Sequence, residues 1–173
     1  ARFGQIGERL WHLARGQDHR VVDRNESLKS ISKETTFSND ISDPDLLDGH
    51  LWRLSEQVAD RSKAKGLVGK TVTLKLKTSD FKLITRRQSL PSPSQLTDLI
   101  YRAAHELIGH SGTHAPYRLI GVGISDLTSE AETGAIGDLL DPSANLRAAA
   151  ERATDAIRSK FGDKAIFKGR ALR

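Results

Sequence analysis

Thr71-Val-Thr-Leu-Lys-Leu-Lys77, a short turn at Thr78-Ser79-Asp80, and then Phe81-Lys-Leu-Ile-Thr-Arg-Arg-Gln-Ser-Leu90 decide the fold of this chain. Successive side chains of a strand point to opposite faces. Val72, Leu74 and Leu76 therefore point one way, and Thr71, Thr73, Lys75 and Lys77 the other. The pair predicts a hairpin with one face in a core and one presenting cations and hydroxyls to solvent. It lies in a run, Arg61 to Arg87, that holds nine basic residues and one acidic residue, Asp80. Lys and Arg neutralise phosphates and release condensed counterions, so such a face suits a polyanion. The competing reading is a solvated face whose lysines block edge pairing.

Upstream, Ser32 to Ile41 also alternates and predicts a strand. Lys33, Thr35, Phe37, Asn39 and Ile41 fall on one face, and Glu34, Thr36 and Ser38 on the other. Asp43-Pro44 supplies an N-cap and a first-turn proline. Leu47, Leu51, Leu54 and Val58 then form a helical stripe that Gly66 stops. Downstream, Ser92-Pro93 predicts a second helix start with Gln95 placed for a capping box. Leu96, Leu99, Ile100, Ala103 and Leu107 form its buried face. Tyr117 to Ser125 predicts a strand with Ile120, Val122 and Ile124 inward. Gly121 and Gly123 face outward, where a missing side chain lets another backbone approach. The order is β-α-β-β-α-β over residues 31–128. It predicts a two-layer α+β domain with both helices on one face of a four-stranded sheet and the other face open.

The flanks read differently. Phe3, Ile6, Leu10 and Leu13 recur at helical spacing up to Gly16, and a polar tether from Gln17 to Lys29 follows. Around and past Leu127, Asp126, Glu130, Glu132, Asp138 and Asp141 come with no basic residue between them and mark an acidic linker. Asp141-Pro142 predicts a third helix, with Leu146, Ala149, Ala150, Ala153 and Ile157 on one face, ending at Gly162. Ala165-Ile166-Phe167 and a basic tail close the chain. The expected divisions are 1–28, 29–128, 129–141 and 142–173.

Composition narrows the function. The chain has 173 residues, a net charge of +5 and no cysteine, which excludes disulfides and cysteine-ligated zinc. No apolar run approaches the ~20 residues that cross a bilayer. A soluble, cytoplasmic, monomeric protein without membrane contact is expected. Methionine is absent even at position 1, so the chain looks cut from something longer. His105 and His110 superficially suggest a zinc helix, but a spacing of five puts them about 140° apart on a helix. Gly109 to Gly112 lacks the lysine of a phosphate loop, and no serine sits in a nucleophile elbow. Asp138 and Asp141 lie in a linker that would hold no metal rigidly. No catalytic residue, metal or cofactor is therefore expected within the chain. Single-strand readers stack bases on strand aromatics. Here the strands carry only Phe37, Phe81 and Tyr117, with Phe37 inward and Phe81 at a turn. Lys75, Lys77, Arg86, Arg87, Thr36 and Ser38 fit instead the phosphate backbone of a duplex, which positions a protein without reading sequence. The rival from another class is a protein-interaction module that docks a partner on the open sheet.

Four ordered segments carry a family resemblance. Phe3-Gly-Gln-Ile-Gly-Glu-Arg-Leu-Trp-His-Leu-Ala-Arg-Gly-Gln-Asp18 resembles the end of the thumb of bacterial Y-family translesion DNA polymerases of the polymerase IV type. Lys29-Ser-Ile-Ser-Lys-Glu-Thr-Thr-Phe37 resembles the linker entering their little-finger domain. Thr73-Leu-Lys-Leu-Lys-Thr-Ser-Asp-Phe81 with Thr85-Arg-Arg-Gln-Ser-Leu90 resembles that domain's hairpin, and Tyr117-Arg-Leu-Ile-Gly-Val-Gly-Ile124 its last strand. The resemblance implies a little finger that lies in the major groove and grips the phosphates of primer-template DNA. The implied contacts are Lys29, Ser30, Ser32, Thr35, Thr36, Ser38, Lys75, Thr85, Arg86, Arg87 and Gln88, to which the reading of the strand face adds Lys77. It also implies that palm, fingers and magnesium-binding carboxylates belong to the rest of a longer polymerase. Family members often carry a sliding-clamp peptide after this domain. Ile136-Gly-Asp-Leu-Leu140 sits there, with Ile136 in place of glutamine and Leu140 in place of phenylalanine. The expected clamp contacts, Ile136, Leu139 and Leu140, are therefore weak ones.

Overall fold

The computed structural model describes residues 3–18, 20, 27–109, 116–133, 144–162 and 164–169. Its elements in chain order are α1 (Gly4–Leu13), β1 (Ser30–Ile41), α2 (Pro44–Ala64), β2 (Leu67–Thr78), β3 (Leu83–Ser94), α3 (Thr97–Gly109), β4 (Tyr117–Ser129), α4 (Glu130–Thr133) and α5 (Ala144–Phe161). The four strands form one antiparallel sheet in the order β1-β4-β2-β3. The expected β-α-β-β-α-β frame is the observed one.

Each helix of the frame has a local cause. Asp43 caps α2, its carboxylate accepting from the Asp45 and Leu46 amides, and Pro44 fills the first helical position. Gly66, at φ +60, takes the left-handed conformation that ends the helix, a backbone state other residues adopt only with strain. Leu47, Leu51, Leu54 and Val58 are buried, as are Ile100, Ala103 and Leu107 of α3. These pack on Ile31, Val72, Leu74, Leu76, Ile120, Val122 and Ile124, the inward side chains of the sheet. Burying a side chain of this size contributes about 1.5–3 kcal/mol, so this one cluster sets which face of the sheet is covered. Pro91 and Pro93 fall in β3, an edge strand, beside a register shift near Gly69, where a missing donor is tolerated.

One expectation is corrected. Ser92 and Pro93 do not open α3, because β3 continues through Ser94 and the helix begins at Thr97. Gln95 forms no capping box, and its Oε1 is buried without a hydrogen-bond partner. The start of α3 is capped from elsewhere in the chain. Thr97 donates its backbone N–H to Glu151 Oε1 and Oε2 (3.0 and 3.1 Å) and its hydroxyl to Oε1 (2.9 Å), so a carboxylate of α5 sits at the positive end of the α3 dipole.

The way α5 docks was not given by its stripe. Its apolar stripe does not face the domain, since Leu146 is 73% exposed while Glu151 is 5% exposed. The helix docks by its charged side. Lys63 of α2 lies 2.7 Å from both Glu151 and Asp155, Arg158 pairs with Glu56 at 2.9 Å, and Arg147 with Asp98 at 3.1 Å. Burial alone would lower the Lys63 pKa, but the hydrogen bonds to Asp155 and Glu151 prevail and hold it above the ordinary lysine value. Burial beside Glu56 and Asp155 pushes the neighbouring Asp60 carboxyl up.

Candidate nucleic-acid interface

Strand register turns the outward side chains into four rows, each with one residue from every strand. Ser30, Ser125, Thr71 and Ser89 make the first row. Ser32, Gly123, Thr73 and Arg87 make the second, and Glu34, Gly121, Lys75 and Thr85 the third. Thr36, Leu119, Lys77 and Leu83 make the fourth. The helices pack on the opposite face, so these rows form a surface of hydroxyls and cations with glycines along its middle strand. A shallow groove of about 230 Å³ runs over those glycines, with Ser32, Thr73, Lys75 and Arg87 at its sides.

The glycines are packed closely. A Cβ on Gly123 would lie 2.8 Å from Ser32 Cβ and 3.2 Å from the Ile31 carbonyl oxygen. Gly123→Val is therefore expected to cost about 1–3 kcal/mol of stability through overpacking of the central strand. It should also fill the groove and weaken binding of any ligand there. Denaturant titration beside a binding titration measures both losses.

Register also sorts the twelve residues expected at the interface. Ser30, Ser32, Thr36, Lys75, Lys77, Thr85 and Arg87 lie in the four rows, and Ser38 continues the same alternation past the last regular pair of β1. Thr35 pairs with Ile120, so it shares the helix side with Ile31 and Phe37. Arg86 opposes Leu74 and Gln88 opposes Val72, which turns both toward the helices. Gln88 Nε2 donates to Glu106 of α3 at 2.9 Å, and among the described residues the Arg86 guanidinium reaches the neighbouring Thr85 carbonyl alone. Lys29 is exposed just before β1. Ile136, Leu139 and Leu140 lie outside the described residues.

The cations of the face differ in what holds them. The Arg87 guanidinium makes no hydrogen bond or ion pair with another described residue. Lys75 pairs with Glu34 at 2.7 Å. The Lys77 ammonium stands 4.8 Å from the centre of the Phe81 ring and Arg118 4.6 Å from it. Phe81 occupies the turn with φ +65 and is largely exposed. The same turn is tied by a hydrogen bond from the Thr78 hydroxyl to Asp80, which lowers the Asp80 pKa. The other strand aromatics are no stacking platform: Phe37 packs on the core with its ring 4.7 Å from His50, and Tyr117 is buried. Sequence reasoning put Thr71 and Thr73 on the outward face without naming them as contacts, and it passed over Ser89 and Ser125. The register supplies the last two, because Ser89 and Ser125 both lie opposite Thr71.

Residues 28–139 match the model of the impB/mucB/samB family C-terminal domain. The chain belongs to that family. This impB/mucB/samB domain is 46% identical over 168 residues to DNA polymerase IV 1 of Mesorhizobium japonicum, covering 97% of this chain and 38% of the relative. DNA polymerase IV of Brucella melitensis is 44% identical over 167 residues, covering 96% of the chain and 37% of the relative. The chain thus spans about two fifths of the length of these relatives. A solved Y-family DNA polymerase chimera superposes with a TM-score of 0.51 at 16% identity, over 73% of this chain and 36% of its own, and shares the fold. The resemblance to polymerase IV read from the sequence segments is therefore borne out, and the fold is one shared with a solved Y-family polymerase. Among the described residues no helix is long and apolar enough to cross a membrane.

Proposed function

We propose that residues 29–128 are a little finger that grips the phosphate backbone of primer-template duplex DNA, lying in its major groove. Residues 1–28 would then be the end of a thumb, followed beyond the finger by a linker at 129–141 and a C-terminal unit at 142–173. The observation that carries this reading is the uncovered sheet face. Its rows supply hydroxyl donors and the side chains of Lys75, Lys77 and Arg87 without an aromatic platform, which suits backbone contact over base stacking. Nucleotidyl transfer, in this reading, is performed by the palm and fingers of the longer protein. Magnesium, in the same reading, belongs with the carboxylates of those missing parts. The chain by itself does not polymerise. Ile136, Leu139 and Leu140 add a weak anchor for a sliding clamp, and the whole works as a monomer in the cytoplasm.

Counterion release tests the grip. Three to five phosphate contacts imply a slope of log affinity against log salt of about −3 to −5, with little dependence on base sequence. Fluorescence anisotropy of a labelled duplex at a series of salt concentrations measures it. A flat slope, or strong preference for one sequence, would overturn the phosphate grip and favour a protein-docking face.

A further inference from the structure

The rows of the open face hold a single carboxylate, Glu34. Lys75 Nζ donates to its Oε2 at 2.7 Å. The two residues stand on β1 and β2 with β4 between them, which separates their backbones by about 9–10 Å at ordinary strand spacing. They meet only because position 121, directly between them, has no side chain. A Cβ there would fall 2.9 Å from Glu34 Cβ. Glu34 and Lys75 keep 51% and 39% of their side-chain surface exposed. Such a solvated pair contributes little to folding. A carboxylate that stabilises the fold so little, placed among phosphate-binding groups, acts against the anion that the face suits.

We infer that Glu34 is a built-in competitor for Lys75, an intramolecular carboxylate occupying the place where a backbone phosphate would pair. This rests on the duplex-binding reading above. Duplex must displace Glu34 from Lys75 or leave the carboxylate facing phosphate, and either route lowers affinity. Lys75 also carries its counterion on the protein, so it releases no condensed cation from DNA until that exchange occurs. Glu34 thereby keeps the grip weak enough for the duplex to move through it.

The test titrates the 173-residue chain and its Glu34→Gln, Lys75→Ala and doubly substituted forms with a mixed-sequence duplex, over a series of salt concentrations. Glu34→Gln is expected to bind about three- to tenfold more tightly, as removal of one nearby like charge implies. Its salt slope should steepen by about 0.9 as Lys75 takes up a phosphate. Lys75→Ala should bind more weakly, and the double variant no more tightly than Lys75→Ala alone. If wild type binds in a salt-dependent way while Glu34→Gln binds equally or less tightly, the competitor role is wrong. A double variant that gains as much as the single one also overturns it, because Glu34 would then act as bulk charge. Glu34→Ala repeats the measurement if the glutamine form misfolds. A wild-type chain that fails to bind duplex at all sinks the duplex reading itself, a result distinct from both failures of the competitor.

Discussion

Glu151→Ala is expected to destabilise the folded chain by about 2–4 kcal/mol, the range for leaving a buried charge and a buried donor without their partner. Glu151 is 5% exposed and joins three elements: its own α5, the first amide of α3 through Thr97, and Lys63 of α2. Removing it uncaps α3 and takes away one of the two carboxylates that pair with the Lys63 ammonium among the described residues. Glu151→Gln keeps an oxygen for Thr97 but loses the charge facing Lys63, so it should lose less. Leu146→Ala, on the outward face of the same helix, should change stability by under about 0.5 kcal/mol. Urea denaturation of the three variants orders them. The ordering would be reversed if α5 packed by its apolar stripe.

The same network has a pH signature. Lys63 has a folded-state pKa raised above its ordinary value of 10.5, so its contribution is fully present below that value and is lost as pH climbs through the folded one. Raising the pH past 10.5 should therefore narrow the gap between wild type and Glu151→Ala, as the ammonium that the carboxylate serves disappears.

Replacing Arg86 and Arg87 together should weaken duplex binding by about 1–3 kcal/mol, as expected for charge-assisted phosphate contacts. Most of that loss should come from Arg87. It lies in the second row of the open face, whereas Arg86 opposes Leu74 and turns toward the helix side. Arg87→Ala alone should reproduce the greater part of the double variant's loss, with a thermal midpoint near wild type because the side chain is exposed. Equal losses from the two single variants would mean that the duplex wraps the β3 edge and does not lie flat on the face. Folded protein that loses no affinity in the double variant would remove Arg87 from the interface.

Local chemistry accounts for much of what was legible in advance. Asp43-Pro44 and Gly66 bound α2 through capping and backbone conformation, which depend on a few adjacent residues. The alternation of Val72, Leu74 and Leu76 with Thr73, Lys75 and Lys77 fixed which side of the hairpin faced the core, because side-chain direction in a strand has a period of two. That period, with the two helical stripes, was enough for the β-α-β-β-α-β frame and its open basic face. It was enough, too, to turn Phe37 inward.

Tertiary structure decided what depends on partners far apart in sequence. Adjacent arginines at 86 and 87 look alike along the chain, and only pairing with β2 assigns them to opposite faces. Ser92 and Pro93 carry a local helix-start signal, yet β3 extends through them and the cap of α3 comes from Glu151, more than fifty positions away. The stripe of α5 says nothing of which way it turns, and the ion pairs with Lys63, Glu56 and Asp98 turn it outward. Glu34 and Lys75 meet across Gly121 because the sheet order places β4 between β1 and β2. Periodicity fixes the direction of a side chain relative to its own element. Which charge stands opposite it is set by register and docking, which no window of neighbouring residues contains.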